Sequence, residues 1–419
     1  MLLRLTLALM ISALAVTSGY ASHCPFCSSQ GQTLAGELTS ADMIVVATLK
    51  SSEQDAQDFT RSKSVFTIDR VIKPHTSYAA KESFTVARYI QQVKPGAEPK
   101  FLLFCYINNA PNDLPTSAVA SGVVFARFQN ASVDAYRGDE IKADSKLPEY
   151  LEKTFALKDK DQPTRLRFYF EYLESPELFI STDALMEFGN ADYKDVRPIA
   201  EKLPADTLLK WIKDPNTSPS RFGLYGMLLG HCGKAEHAGA VRKLIDDPDN
   251  AYSLGLDGML AGYLLLDPKT GWELLRGIIG NQKKDFTTRY AALRTVRFFH
   301  DYRPDVLKPE QLVEGMKELA RQDDIADIAI DDLRKWKVFD ETGYVLGFVG
   351  QESHGSPITK RAILRFALQA AEAGKADAKA FVDKARADNP ERVKETEELL
   401  RDETPKPATT TKTDATSKK

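Results

Sequence analysis

Hydrophobic and polar residues alternate along the first third of the chain and cycle with a helical period along the rest. Met43-Ile44-Val45-Val46-Ala47-Thr48-Leu49 is a continuous apolar run rich in β-branched residues. Residues 64–72 alternate with period two, and 83–87, 100–105 and 122–128 are further short runs between Pro, Gly and Asn clusters such as Lys94-Pro95-Gly96. Five short strands at this spacing predict a small all-β barrel or sandwich over 22–135. A connector, 136–160, follows. Within it Leu147-Pro148-Glu149-Tyr150-Leu151 opens the first helix.

Over 161–400 the pattern predicts an all-α array of helix pairs. Gly223-Leu224-Tyr225-Gly226-Met227-Leu228-Leu229-Gly230 returns 32 residues later as Gly255-Leu256-Asp257-Gly258-Met259-Leu260-Ala261-Gly262. A fixed spacing in the thirties marks a helical repeat. Small residues recur in one helix of each pair, at Ala184, Gly226, Gly258, Ala292, Ala329 and Ala362, with gaps of 42, 32, 34, 37 and 33. Small residues let neighbouring helices approach closely, while flanking Leu, Met and Phe fill the shared core. Each Gly inside a helix costs about 1 kcal/mol against Ala. A close crossing offsets that cost, so Gly223, Gly226, Gly230, Gly255, Gly258 and Gly262 are predicted packing positions.

Asp-Pro steps such as Asp214-Pro215, Asp247-Pro248 and Asp267-Pro268, followed by helices containing Ala-Ala or Ala-Leu, resemble HEAT-like repeats over about 160–390. That resemblance implies a solenoid whose surface binds a partner. The N-terminal part resembles the netrin and metalloproteinase-inhibitor group. It shares a cysteine cluster, then Ala41-Asp42-Met43-Ile44-Val45-Val46-Ala47, then Val71-Ile72-Lys73-Pro74, then Phe101-Leu102-Leu103-Phe104, with Lys73-Pro74 in place of the usual Lys-Gly. This resemblance implies an OB-like barrel. The group's inhibitors chelate a protease zinc through an N-terminal cysteine.

The first 21 residues read as a signal peptide. Arg4 gives the positive start, Leu5 to Val16 the short apolar stretch, and Gly19-Tyr20-Ala21 the small residues before cleavage at Ser22. An exported, periplasmic or extracellular protein is therefore expected, with no membrane insertion after cleavage. Ser22 and His23 would then precede Cys24, which argues against the inhibitor chemistry. The Thr- and Lys-rich tail, 402–419, has too little apolar surface to order. With 56 basic and 59 acidic residues the net charge is −3, and no nucleic-acid partner is expected.

In an exported chain the four cysteines, Cys24, Cys27, Cys105 and Cys232, are disulfide candidates with three possible connectivities. The favoured reading bonds Cys24 or Cys27 to Cys105 and pins the N-terminus to the barrel. His23-Cys24-Pro25-Phe26-Cys27 also supplies three ligands of the zinc or copper type, and Cys-x-x-Cys has the spacing of a thiol-disulfide motif. A second ligand pair and the strand-then-helix setting of a redox motif are both missing, so no cofactor and no metal are expected. Cys232 reads as a small buried side chain. Asp323, Asp324, Asp327, Asp331 and Asp332 read as a solvated face paired with Lys335 and Lys337, and His231 and His237 lie off one helical face. No catalytic set converges. The functional expectation is a non-enzymatic scaffold that binds a protein, with a metal-binding or thiol-disulfide N-terminus as the alternative.

Overall fold

The apolar run at Met43 becomes the first part of β1 (Met43–Glu53), buried on both faces as an uninterrupted hydrophobic strand demands. The computed structural model describes residues 24–27, 31–58, 61–91, 98–108, 126–128, 131–247 and 254–403. The first 21 residues, expected to be a signal peptide, with His23, Pro248 and the tail beyond 403, lie outside them. The chain divides into two compact units at Ile199/Ala200.

In the first unit β1 pairs antiparallel with β2 (Lys63–Lys73) on one side and β4 (Lys100–Asn108) on the other. β3 (Ser83–Val86), β5 (Ala126–Phe128) and β6 (Ala131–Ile141) complete an antiparallel sheet of order β3-β2-β1-β4-β6-β5. Met43, Val45, Ala47 and Leu49 pack with Phe66, Ile68, Phe84, Phe101, Leu103 and Val133 into its core. Register shifts between β1 and β2 bend the ladder, and β3 comes close to β5 and β6. The closed barrel expected from the sequence is not what the described residues form. Their ladder ends at β3 and β5, which have only four and three residues, and no pairing joins those edges.

The sequence reading also missed β6, assigning much of it to the connector. This strand is polar, yet Val133 and Ala135 turn inward and Tyr136 and Arg137 outward. Gly138 faces Leu103, whose Cδ2 would lie 2.8 Å from any added Cβ.

Among the described residues this unit also holds helices α1 (Leu34–Ser40), α2 (Leu147–Ala156), α3 (Gln162–Phe170), α4 (Leu178–Asn190) and α5 (Tyr193–Ala200). The second unit is helical: α6 (Ala205–Lys213), α7 (Phe222–Cys232), α8 (Ala235–Asp246), α9 (Leu256–Leu266), α10 (Pro268–Ile279) and α11 (Phe286–Tyr302). It continues through α12 (Pro309–Ala320), α13 (Ala326–Lys335), α14 (Thr342–Leu346), α15 (Pro357–Glu372), α16 (Ala376–Asp388) and α17 (Pro390–Glu403). Asp267, Asp285 and Ser356 cap α10, α11 and α15 by accepting from the third-residue amides, as their side chains favour. α7 packs on α9, α9 on α11, and α13 on α15. Among the described residues no helix is long and apolar enough to cross a membrane.

Candidate functional site

The N-terminal cysteines correct one expectation. Cys24 is bonded to Cys27, not to Cys105. Cys105 lies on β4, fully buried inside the sheet, where burial pushes its thiol well above the usual range. Cys24 and Cys27 are themselves 3% and 7% exposed, and Pro25-Phe26 forms the turn between them. In the bonded state neither sulfur is a thiolate, the form that attacks disulfides or holds zinc. α1 starts seven residues after Cys27, so no helix N-terminus activates the pair. Cys232 ends α7 unbonded. Its thiol donates to the Leu228 carbonyl at 3.3 Å, and burial pushes it up to about 11.

The segment after the disulfide is clasped by a polar stripe on α4. Asp183, Glu187 and Asn190 stand at i, i+4 and i+7, one face of the helix. Asp183 accepts the Leu34 amide at 2.7 Å and the Tyr150 hydroxyl at 2.7 Å. Glu187 is hydrogen-bonded by the Thr33 side chain, and Asn190 donates to the Gly31 carbonyl at 2.8 Å. The far end of α1 is capped by the Lys73 ammonium, which reaches the carbonyls of Leu38, Thr39 and Ala41. From β6, Tyr136 and Arg137 bind Glu37 at 2.7 and 3.0 Å. Burial pushes Asp183 up despite its two donors. Glu187 rises to about 7, chiefly from burial and further from Asp183, against the opposing pull of Thr33 and Arg165. A buried carboxyl poised near neutrality marks a functional-site candidate.

The repeated phrase turns out to pack against itself. α7 and α9 meet glycine to glycine in register. An added Cβ on Gly258 would stand 2.0 Å from the Gly223 oxygen, and one on Gly262 2.0 Å from the Gly226 oxygen. Gly226, Gly230 and Gly255 likewise face backbone at 2.5–2.8 Å, so backbone meets backbone along the seam.

In the acidic cluster Asp324, Asp331 and Asp332 are held by arginines. Arg289 grips Asp324 with both terminal nitrogens, and Arg297 meets Asp332 at 2.6 Å. Arg334 and Arg365 hold Asp331 at 2.8 and 3.1 Å. Lys335 pairs with Asp331 at 2.8 Å as expected. Lys337 instead takes a left-handed backbone after α13, and no ion pair of it is seen among the described residues. Arg294–Asp257 at 2.8 Å joins α11 to α9, as Arg297–Asp332 joins α11 to α13 and Arg365–Asp331 joins α15 to α13. His237 is buried against the Lys234 backbone and does not join His231 in a site.

Another candidate is a cleft of about 320 Å³ formed by α15, α16, α17 and the turn after α14. Phe348, Val349, Ile363, Leu364, Phe381 and Val393 line it. Its floor is fixed by His354, which contacts the Ala320 carbonyl at 2.8 Å and stacks on Phe348 at 4.2 Å. Lys360, Lys384 and Arg392 surround the apolar surface against one carboxylate, Asp388. Among the described residues these three cations form no ion pair.

Comparison with family models, curated proteins and solved structures finds no match to this chain. Two functional features escaped the sequence reading. Lys360, Lys384 and Arg392 come from three different helices, and no spacing rule joins them. The α4 stripe was visible in principle, as three polar residues on one face of Leu178-Phe179-Ile180-Ser181-Thr182-Asp183-Ala184-Leu185-Met186-Glu187-Phe188-Gly189-Asn190.

Proposed function

We propose that this chain is an exported, non-enzymatic scaffold that binds a protein partner through its helical unit. The carrying observation is the apolar cleft of α15–α17 with three cations against one carboxylate. An apolar concavity with a few convergent charges has the make-up of a ligand site. Its charge selects an acidic partner segment that places one large aliphatic or aromatic side chain in the cleft. A HEAT-like array is supported by the stacking of α7, α9 and α11 and by ion pairs whose partners lie 34 to 37 residues apart. An OB-like N-terminal module is supported by the strand order β3-β2-β1-β4-β6.

The test is fluorescence anisotropy of the full chain with labelled acidic peptides carrying one Leu or Phe, beside the same peptides with Ser. Binding in the micromolar range, weakened at least about tenfold by Lys384→Glu with Arg392→Glu and by high salt, is expected. Equal binding of the Ser peptides, or binding indifferent to charge reversal, would overturn the proposal.

A further inference from the structure

The clasp on α1 leaves two charged groups incompletely paired. Oε1 of Glu187 and Nε of Arg165 are both buried and have no hydrogen-bond partner among the described residues. Glu187 and Arg165 both line one cleft, about 490 Å³, bounded by α1, α3 and the junction of α4 with α5. Glu187 is only 4% exposed. Arg165 donates from one terminal nitrogen to Gln162, and its side chain lines the cleft. A buried polar atom left unpaired costs about 1–3 kcal/mol, more when charged. Here an acceptor and a donor of opposite charge are left over in one concavity of ligand size.

The two groups discriminate between ligand classes. A simple ammonium ion satisfies Glu187 but leaves Arg165 unpaired and adds a like charge beside it. A simple carboxylate satisfies Arg165 but faces Glu187 together with Asp192 and Asp195. Of these, Asp192 is already paired with Lys194 at 3.1 Å. A ligand with both charges one carbon apart satisfies both at once. We propose that this cleft binds a small zwitterion of the α-amino-acid class, with its ammonium group on Glu187 and its carboxylate on Arg165. Thr33 and Gln162 add neutral hydrogen-bonding groups, and the volume leaves room for a side chain. The binding requires no covalent step.

Thermal-shift and calorimetric titrations of the full chain with free L-amino acids test this, with the N-acetyl acid and the methyl ester of each hit as paired controls. At least one amino acid should raise the melting temperature saturably at concentrations up to about 10 mM. Blocking either charged end should weaken binding by at least about tenfold. Glu187→Gln and Arg165→Gln should each produce a loss of the same size. Should either variant fail to fold, the blocked ligands on the wild-type chain still decide the matter. No saturable shift with any amino acid, or a shift that survives blocking of either end, would show that the cleft holds solvent only and would overturn the proposal.

Discussion

The Leu34 amide donates to Asp183 at 2.7 Å, across 149 residues of chain. This bond fixes the start of α1 to α4, and with Glu187 and Asn190 it makes three buried or half-buried groups dependent on one helix face. Its setting is low in dielectric, so the carboxyls there resist ionisation.

One consequence is a pH dependence of stability. Glu187 titrates near 7 in the folded chain against an ordinary value of 4.5. The unfolded chain therefore loses this proton first, and stability falls as pH rises from 4.5 through about 7. Asp183 shifts in the same direction, while Arg165, Asp192 and Asp195 face the same cleft. Glu187→Gln keeps a neutral partner for Thr33. Urea titrations should show the variant matching wild type near about pH 5 and exceeding it near about pH 8 by on the order of 3 kcal/mol. Equal pH slopes would show that Glu187 ionises freely.

The glycine seam gives a contrast of sign. Gly258→Ala gains about 1 kcal/mol of helix propensity, but its Cβ would lie 2.0 Å from the Gly223 carbonyl oxygen. The helices must separate, and a net loss of about 1–3 kcal/mol is expected. Gly239→Ala and Gly277→Ala lie in α8 and α10 with nothing within 4 Å of the added carbon. These two should stabilise by about 0.5–1 kcal/mol. Thermal melts of all three variants check the ordering.

Much of this seam was legible in the sequence, because a repeat of eight residues names its own contact partner: the second copy packs on the first. The strands at Met43 and Ser64 were legible for a similar reason, since burial on both faces or one leaves a continuous or alternating pattern. What stayed hidden depends on contacts distant in sequence. β6 is polar because its outward side chains bind Glu37 on α1. The acidic cluster near Asp324 pointed to lysines nearby, whereas its main partners are arginines 34 or 35 residues away. The disulfide was misassigned because Cys105 lies on a strand whose side chain points into the core.

The cysteines make a counting prediction. Alkylation of the denatured, unreduced chain should add two labels, at Cys105 and Cys232, and reduction should expose Cys24 and Cys27 for four in all. In the native chain Cys105 should stay unlabelled, since it is fully buried. Mass spectrometry of the intact chain reads the count. A label on Cys24 without reduction would remove the disulfide from the account.

Asp332 is 3% exposed and its partner Arg297 ties α11 to α13. Arg297→Met leaves that carboxyl buried without its cation. The expected loss is about 3 kcal/mol, and restoring neutrality with Asp332→Asn in the same chain should recover part of it. A double-variant cycle by urea unfolding measures the coupling.

The central claim is that the α15–α17 cleft holds an acidic protein segment. A photo-crosslinking amino acid at Val349, an exposed residue on the cleft wall, tests it in the cell that makes the protein. The account predicts a discrete adduct whose partner peptide is acidic and carries an aliphatic or aromatic anchor, and which disappears with Lys384→Glu and Arg392→Glu. An adduct that persists after charge reversal, or no adduct at Val349 while other exposed positions capture a partner, would contradict it.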